Sequence, residues 1–225
     1  DLDRGCSVID YELNRWFATP QDLERIAAAE VALKLDFILN HASVLSPQFA
    51  DLVAKGEDSA YRDFFIDWNR FWQGHGELTD AGYIQPDPEL IADMFFRKPG
   101  LPILMVRFPD GSEHPYWNTF YQQVRYPVVE PEELIAATGL QYHAAALLAQ
   151  RLNAATASGG GPSSADFSGF EDGVRAAAID LAESRRRYLG QMDPNIDSDA
   201  VRDFSADPLD KLAGYGARIV RLDAF

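Results

Sequence analysis

The chain has 225 residues, 47% of them apolar, and carries 35 acidic against 20 basic side chains for a formal net charge of −15. That is enough apolar material for one sizeable core in one or two domains, while the negative charge disfavours nucleic acid and anionic membrane surfaces and leaves neutral ligands such as sugars as the better match. A lone cysteine, Cys6, excludes an internal disulfide; with no Cys/His cluster at zinc spacing, no membrane-length apolar run and no signal-peptide pattern, the expectation is a cytoplasmic protein without a metal.

In chain order, Thr19-Pro20-Gln21-Asp22 predicts a helix start, with a threonine cap, proline in the first turn and an acid three residues after the cap. A helix of about ten residues follows. The run Val31 to Leu39 is mostly apolar, as in parallel strands buried on both faces. The passage between them, Ala27-Ala28-Ala29-Glu30-Val31, lacks the glycine expected at such a junction. Ser46-Pro47 opens a second helix that Gly56 closes, and the aromatic stretch Tyr61 to Trp72 leads into loops marked by Gly74, Gly76 and Gly82. Ile103 to Phe108 reads as a strand, turning at Pro109-Asp110-Gly111-Ser112 into Tyr116-Trp117.

Two helical stretches come next, Pro131 to Ala155 and Phe167 to Arg187, joined by the glycine-rich linker Ser158 to Ser164. Pro208 interrupts the following helix, and Asp207 is placed to cap a shorter one. The last element, Ala217 to Asp223, reads as a strand after Gly214-Tyr215-Gly216. Helices alternating with strands predict an α/β fold with a parallel sheet.

Arg221 and Asp223 are two apart on the final strand and leave the same face. At the C-terminal end of a barrel strand, a guanidinium beside the carboxylate would keep it ionised, as a nucleophile requires. Taken alone, the pair reads first as a structural ion pair. Asn40 and His41 fall where the earlier strand gives way to its loop, and a lone histidine there is equally a packing residue.

Together the two segments carry a resemblance. Asp36-Phe37-Ile38-Leu39-Asn40-His41 resembles the third-strand motif of glycoside hydrolase family 13, and Arg221-Leu222-Asp223-Ala224 resembles its fourth-strand motif. Between them, Gln191-Met192-Asp193-Pro194-Asn195 is similar to the short additional motif that precedes the fourth strand. Ser46-Pro47-Gln48-Phe49, Arg97-Lys98-Pro99, Asp110-Gly111-Ser112 and Trp117 with Thr119-Phe120 resemble the sucrose phosphorylase branch, as does the opening Asp3-Arg4-Gly5.

The resemblance implies part of a (β/α)8 TIM barrel around strands 3 and 4, with an inserted B-type domain and extra helices. Its segments would be 1–45 (barrel), 46–190 (insertion with helical extension) and 191–225 (barrel). The implied activity is retaining transfer of glucose from sucrose or a similar α-glucoside to inorganic phosphate as co-substrate, with no cofactor, through a β-glucosyl-aspartate. Asp223 would be the nucleophile and Arg221 its orienting partner, while Asp3, His41 and Phe120 bind the sugar. Alternatives within the family are a hydrolase or transglucosidase, or an inactive truncated remnant, because the acid/base glutamate belongs to a fifth strand with no counterpart here. A complete barrel takes about 250 residues, so a partial barrel would leave strand edges exposed.

Overall fold

The computed structural model describes residues 8–97, 99–120 and 122–223, with Asp223 described by its backbone alone. Two compact units are present: one comprises residues up to 122 together with those from 190 on, and the other residues 123–189. No described helix is long and apolar enough to cross a membrane.

In the first unit α1 (Pro20–Ala28) starts in a full capping box: the Thr19 hydroxyl accepts from the Asp22 N–H, and the Asp22 carboxylate accepts from the Thr19 N–H. It ends in a Schellman arrangement. The N–H of Glu30 reaches the Ala27 carbonyl and that of Val31 reaches Ile26, with Glu30 at φ 57°. Glu30 thus occupies the left-handed position whose missing glycine the sequence flagged, and its Cβ makes that conformation costly. Glu30→Gly is expected to raise unfolding stability by up to about 1 kcal/mol, the relief of strain being partly offset by a freer unfolded chain. Urea unfolding with an unchanged m-value checks this.

The strand β1 (Leu33–Ile38) follows, then the two-residue β2 (Ala42–Ser43) and α2 (Pro47–Lys55). α2 is capped by the Ser46 hydroxyl accepting from the Phe49 N–H, and Gly56 at φ 58° closes it as the sequence predicts. The aromatic stretch yields the short α3 (Trp68–Phe71), and the glycine-marked region folds into a hairpin, β3 (Gly76–Leu78) with β4 (Ile84–Pro86), before α4 (Pro88–Ile91). The second predicted hairpin is present as β5 (Ile103–Arg107) against β6 (Glu113–Trp117), its turn fixed by Asp110 accepting from the N–H and hydroxyl of Ser112. Trp68 is fully buried against Trp117 and Trp72, at 4.6 and 5.7 Å between ring centroids, and donates its indole N–H to the Ile84 carbonyl.

The second unit begins within β7 (Gln122–Arg125) and ends within β8 (Arg187–Met192), neighbours in one sheet. The single helix expected over Pro131 to Ala155 is two: α5 (Pro131–Thr138) and α6 (Tyr142–Ala157). Gly139 at φ 73° ends the first, because it can take the left-handed cap that stops a helix. With α7 (Asp172–Ser184) they enclose Leu134, Ala145, Leu148, Leu152, Ala178 and Ala182. The alanines allow close approach of the helices.

Back in the first unit, Met192 and Gln191 pair antiparallel with Ala42 and Ser43, and α8 (Asp199–Gly214) leads into β9 (Ala217–Asp223). α8 runs straight through Pro208, contrary to the expectation of a shorter helix starting there. The proline ring is buried, and that packing outweighs the single backbone hydrogen bond it forfeits. β9 lies parallel to β1, with Asp36 opposite Arg221 and Ile38 opposite Asp223. Parallel strands normally have both faces covered; here only Phe37 of β1 is buried, and Ile219 and Leu222 are about half exposed.

Candidate active site

β1 and β9 run the same way, so their C-terminal ends lie together, and ligands of parallel α/β sheets bind beyond such ends. The Arg221 guanidinium donates to the Asp36 carboxylate across the pair at 2.7 Å, both side chains being about half exposed. The sequence places Arg221 beside Asp223; the register adds a carboxylate from the other strand. That register joins residues 185 apart, so no local pattern announces it. Two positions further along, Asp223 stands opposite Ile38.

Beyond Ile38 the chain reaches Asn40 and His41. The His41 ring is buried, and its Nδ1 lies 2.7 Å from Asn40 Oδ1. The ring meets Phe120 at 5.2 Å between centroids. Two residues 79 apart in sequence, both expected in one sugar site, are therefore in contact. The exposed Arg97 guanidinium stacks over the other partner, 5.5 Å from the centre of the Phe120 ring. Asp3, the remaining expected sugar contact, lies outside the described residues. Among the described residues no cluster of three or more His, Cys, Asp or Glu could hold a metal.

The loop that carries Phe120 is fixed by polar contacts. The Thr119 N–H and hydroxyl donate to the two oxygens of Asp193, at 2.8 and 2.9 Å, and the Trp117 indole N–H donates to the Thr119 hydroxyl at 3.1 Å. The Asn118 N–H donates to the Pro102 carbonyl at 2.7 Å. Asp193 belongs to the motif Gln191 to Asn195, which the sequence marks only as a family signature. Its partner lies 74 residues away, and the only local hint is an acid in an otherwise uncharged motif.

Burial pushes the Asp193 carboxyl up to about 6 from 3.8, against the opposing pull of the two Thr119 hydrogen bonds. Because the folded value is raised, the fold binds this proton more tightly than the unfolded chain does. The associated stabilisation is fully present below pH 3.8 and is lost as pH rises through about 6. Asp193→Asn removes that titration. The stability of the wild type relative to the asparagine variant is expected to fall by roughly 2–3 kcal/mol between pH 4 and pH 7, read from urea unfolding at each pH.

No protein-family model matches the chain. Over all 225 residues it is 44% identical to a sucrose 6(F)-phosphate phosphorylase of Ilumatobacter coccineus, spanning 32% of that protein. Among solved structures, a sucrose 6F-phosphate phosphorylase from Thermoanaerobacter thermosaccharolyticum aligns with 99% of the chain and 31% of its own at TM-score 0.58 and 23% identity. A family GH13_31 enzyme aligns with 99% of the chain and 26% of its own at TM-score 0.51 and 17% identity. The chain thus spans about a third of the length of the relative and of the sucrose 6F-phosphate phosphorylase structure it matches. With a mixed α/β fold shared with these enzymes and identity along its whole length, it is a homologue, over that third, of the sucrose phosphorylase-like enzymes of glycoside hydrolase family 13.

Proposed function

We propose that the chain is part of a cytoplasmic retaining glucosyl transferase that moves glucose from sucrose, or sucrose carrying a phosphate on its fructose, to inorganic phosphate without a cofactor. Two observations carry this reading: Arg221 pairs with Asp36 across two parallel strands, and His41, three residues past the end of one of them, is in ring contact with Phe120. In this reading β1 and β9 are barrel strands 3 and 4, and residues 46–190 form the insertion between them. The name of the relative identical at 44% supports the choice of donor.

In the proposed reaction the Asp223 carboxylate attacks the anomeric carbon. The bond from that carbon to the leaving sugar's oxygen breaks, and that oxygen takes a proton from a carboxylic acid elsewhere in the full-length protein, roughly 5 Å from the nucleophile. A phosphate oxygen then displaces Asp223, giving its proton back to that acid, and net configuration is retained. Arg221, held by Asp36, keeps positive charge near the nucleophile and favours its ionised form. His41 and Phe120, with Asp3, hold the glucosyl ring.

The test is product analysis of the full-length protein with sucrose and sucrose 6(F)-phosphate, each with and without phosphate. Glucose 1-phosphate that appears only when phosphate is present supports the reading. Free glucose at the same rate in both arms makes the protein a hydrolase, and no turnover of either donor removes the assignment.

A further inference from the structure

We propose that Asp193 is a positioning residue that holds Phe120 against His41, acting through Thr119. The inference rests on the reading of His41 and Phe120 as a sugar-binding pair, and it adds to that site a residue that touches neither the sugar nor the reacting atoms.

Three features of the geometry carry it. Both carboxylate oxygens of Asp193 are committed to one residue, the N–H and hydroxyl of Thr119. A bidentate clamp of this kind fixes both the position and the orientation of the peptide it grips. Next, the chain around the clamp is pinned on both sides. The Asp193 N–H donates to the Trp117 carbonyl at 3.3 Å, the Asn118 amide lies 3.3 Å from the Met192 sulfur, and the Ile66 N–H donates to the Asp193 carbonyl at 3.0 Å. Finally, Phe120 follows Thr119 directly, and its ring is the one that meets His41. A rotation of the 119–120 peptide would swing that ring away, because β6 ends at Trp117 and the bond from the Asn118 N–H to the Pro102 carbonyl lies one residue before Thr119.

The chemistry of the clamp calls for a carboxylate. Thr119 offers two donors, and an ionised acid supplies two acceptors; asparagine supplies one and turns its NH₂ toward the second donor. Valine at 119 removes the hydroxyl with little change of shape, whereas serine keeps it. These variants separate a tether from a merely buried acid.

The test uses the full-length protein with Asp193→Asn, Thr119→Val, Thr119→Ser and, as reference, Phe120→Leu, each checked for a cooperative thermal melt. The first readout is the imidazole resonance of His41, identified by its loss in His41→Gln, which senses the Phe120 ring. Asp193→Asn and Thr119→Val are expected to move it in the direction that Phe120→Leu does, and Thr119→Ser to leave it near the wild-type position.

The second readout is the KM for the donor. The same two variants are expected to raise it about five- to tenfold, the scale of one lost hydrogen bond, with kcat within about twofold and little further loss when combined with Phe120→Leu. A His41 resonance that moves in Phe120→Leu but in neither tether variant overturns the proposal. If Asp193→Asn does not fold, the near-isosteric Thr119→Val decides alone. If no variant and no wild type turns over any donor while the resonance still moves, the sugar-site reading falls and the tether stands.

Discussion

Replacing Asp223 by asparagine in the full-length protein is expected to lower glucosyl transfer by a factor on the order of 10⁴ or more, with the melting temperature unchanged within a few degrees. The substitution keeps the size of the side chain and removes the charge. An amide is a poor nucleophile toward the anomeric carbon, and it cannot spread the charge of the transition state as a carboxylate does. In the proposed reaction the strand pair supplies the surroundings of that charge. The guanidinium of Arg221, anchored to Asp36 at 2.7 Å from the parallel neighbour, belongs to the residue two positions before Asp223 on the same strand. Steady-state rates with donor and phosphate, alongside circular-dichroism melts, make the measurement. A variant that keeps more than about a hundredth of the wild-type rate would be incompatible with Asp223 as the nucleophile. Substitution of Asp36, which acts only through Arg221, is expected to cost far less, because its ion pair is half exposed and screened by solvent.

The largest loss of stability is expected at Arg62. Its guanidinium donates to Asp67 at 2.8 Å, Glu57 at 3.0 Å and the Tyr116 hydroxyl at 2.7 Å, and it lies 5.6 Å from the ring centres of Phe108 and Tyr116. Only 15% of the Arg62 side chain and 8% of the Asp67 side chain reach solvent. Arg62→Ala strands the Asp67 carboxylate in a buried setting, with the N-cap bond from the Arg70 N–H as its remaining partner. Such a break is expected to cost about 3–5 kcal/mol. Converting the pair together, Arg62→Met with Asp67→Asn, removes the stranded charge and keeps the helix cap. The double variant is therefore expected to be more stable than Arg62→Ala. Urea unfolding of the wild type, Arg62→Ala and the double variant is the check, and a double variant no more stable than Arg62→Ala would show that the stranded Asp67 charge is not the source of the loss.

The limit of what the sequence reveals falls along sequence separation. Thr19, Ser46 and Gly56 announce helix ends because capping is a contract among residues three or four apart. The hairpin at Asp110 to Ser112 is legible for the same reason. Gly139 gives no local sign of a break because the apolar spacing continues across it, and only the left-handed backbone ends the helix. Pro208 points the opposite way, because its sequence signal is a break while its buried ring sits inside an unbroken helix. Of the candidate site, the motifs name His41 and Phe120, but their contact joins residues 79 apart, and the grip of Asp193 on Thr119 joins residues 74 apart. The Asp36 to Arg221 pair depends on a register between opposite ends of the chain. Both are tertiary facts without a local signature.

The pairing of β1 with β9 also bears on the order in which the molecule assembles. Bringing Ile38 to Asp223 closes a loop of nearly the whole chain, which costs an unfolded polymer about 4–5 kcal/mol in entropy. The two hairpins close over a few residues each, and the helices of the second unit over a few tens. Those elements shorten the effective loop before the strands meet, so the parallel pair is the natural last step. The proposed catalytic end of the molecule would then come into being only after the intervening chain has folded, and a lesion in the hairpin region, far from Asp223, would delay its arrival.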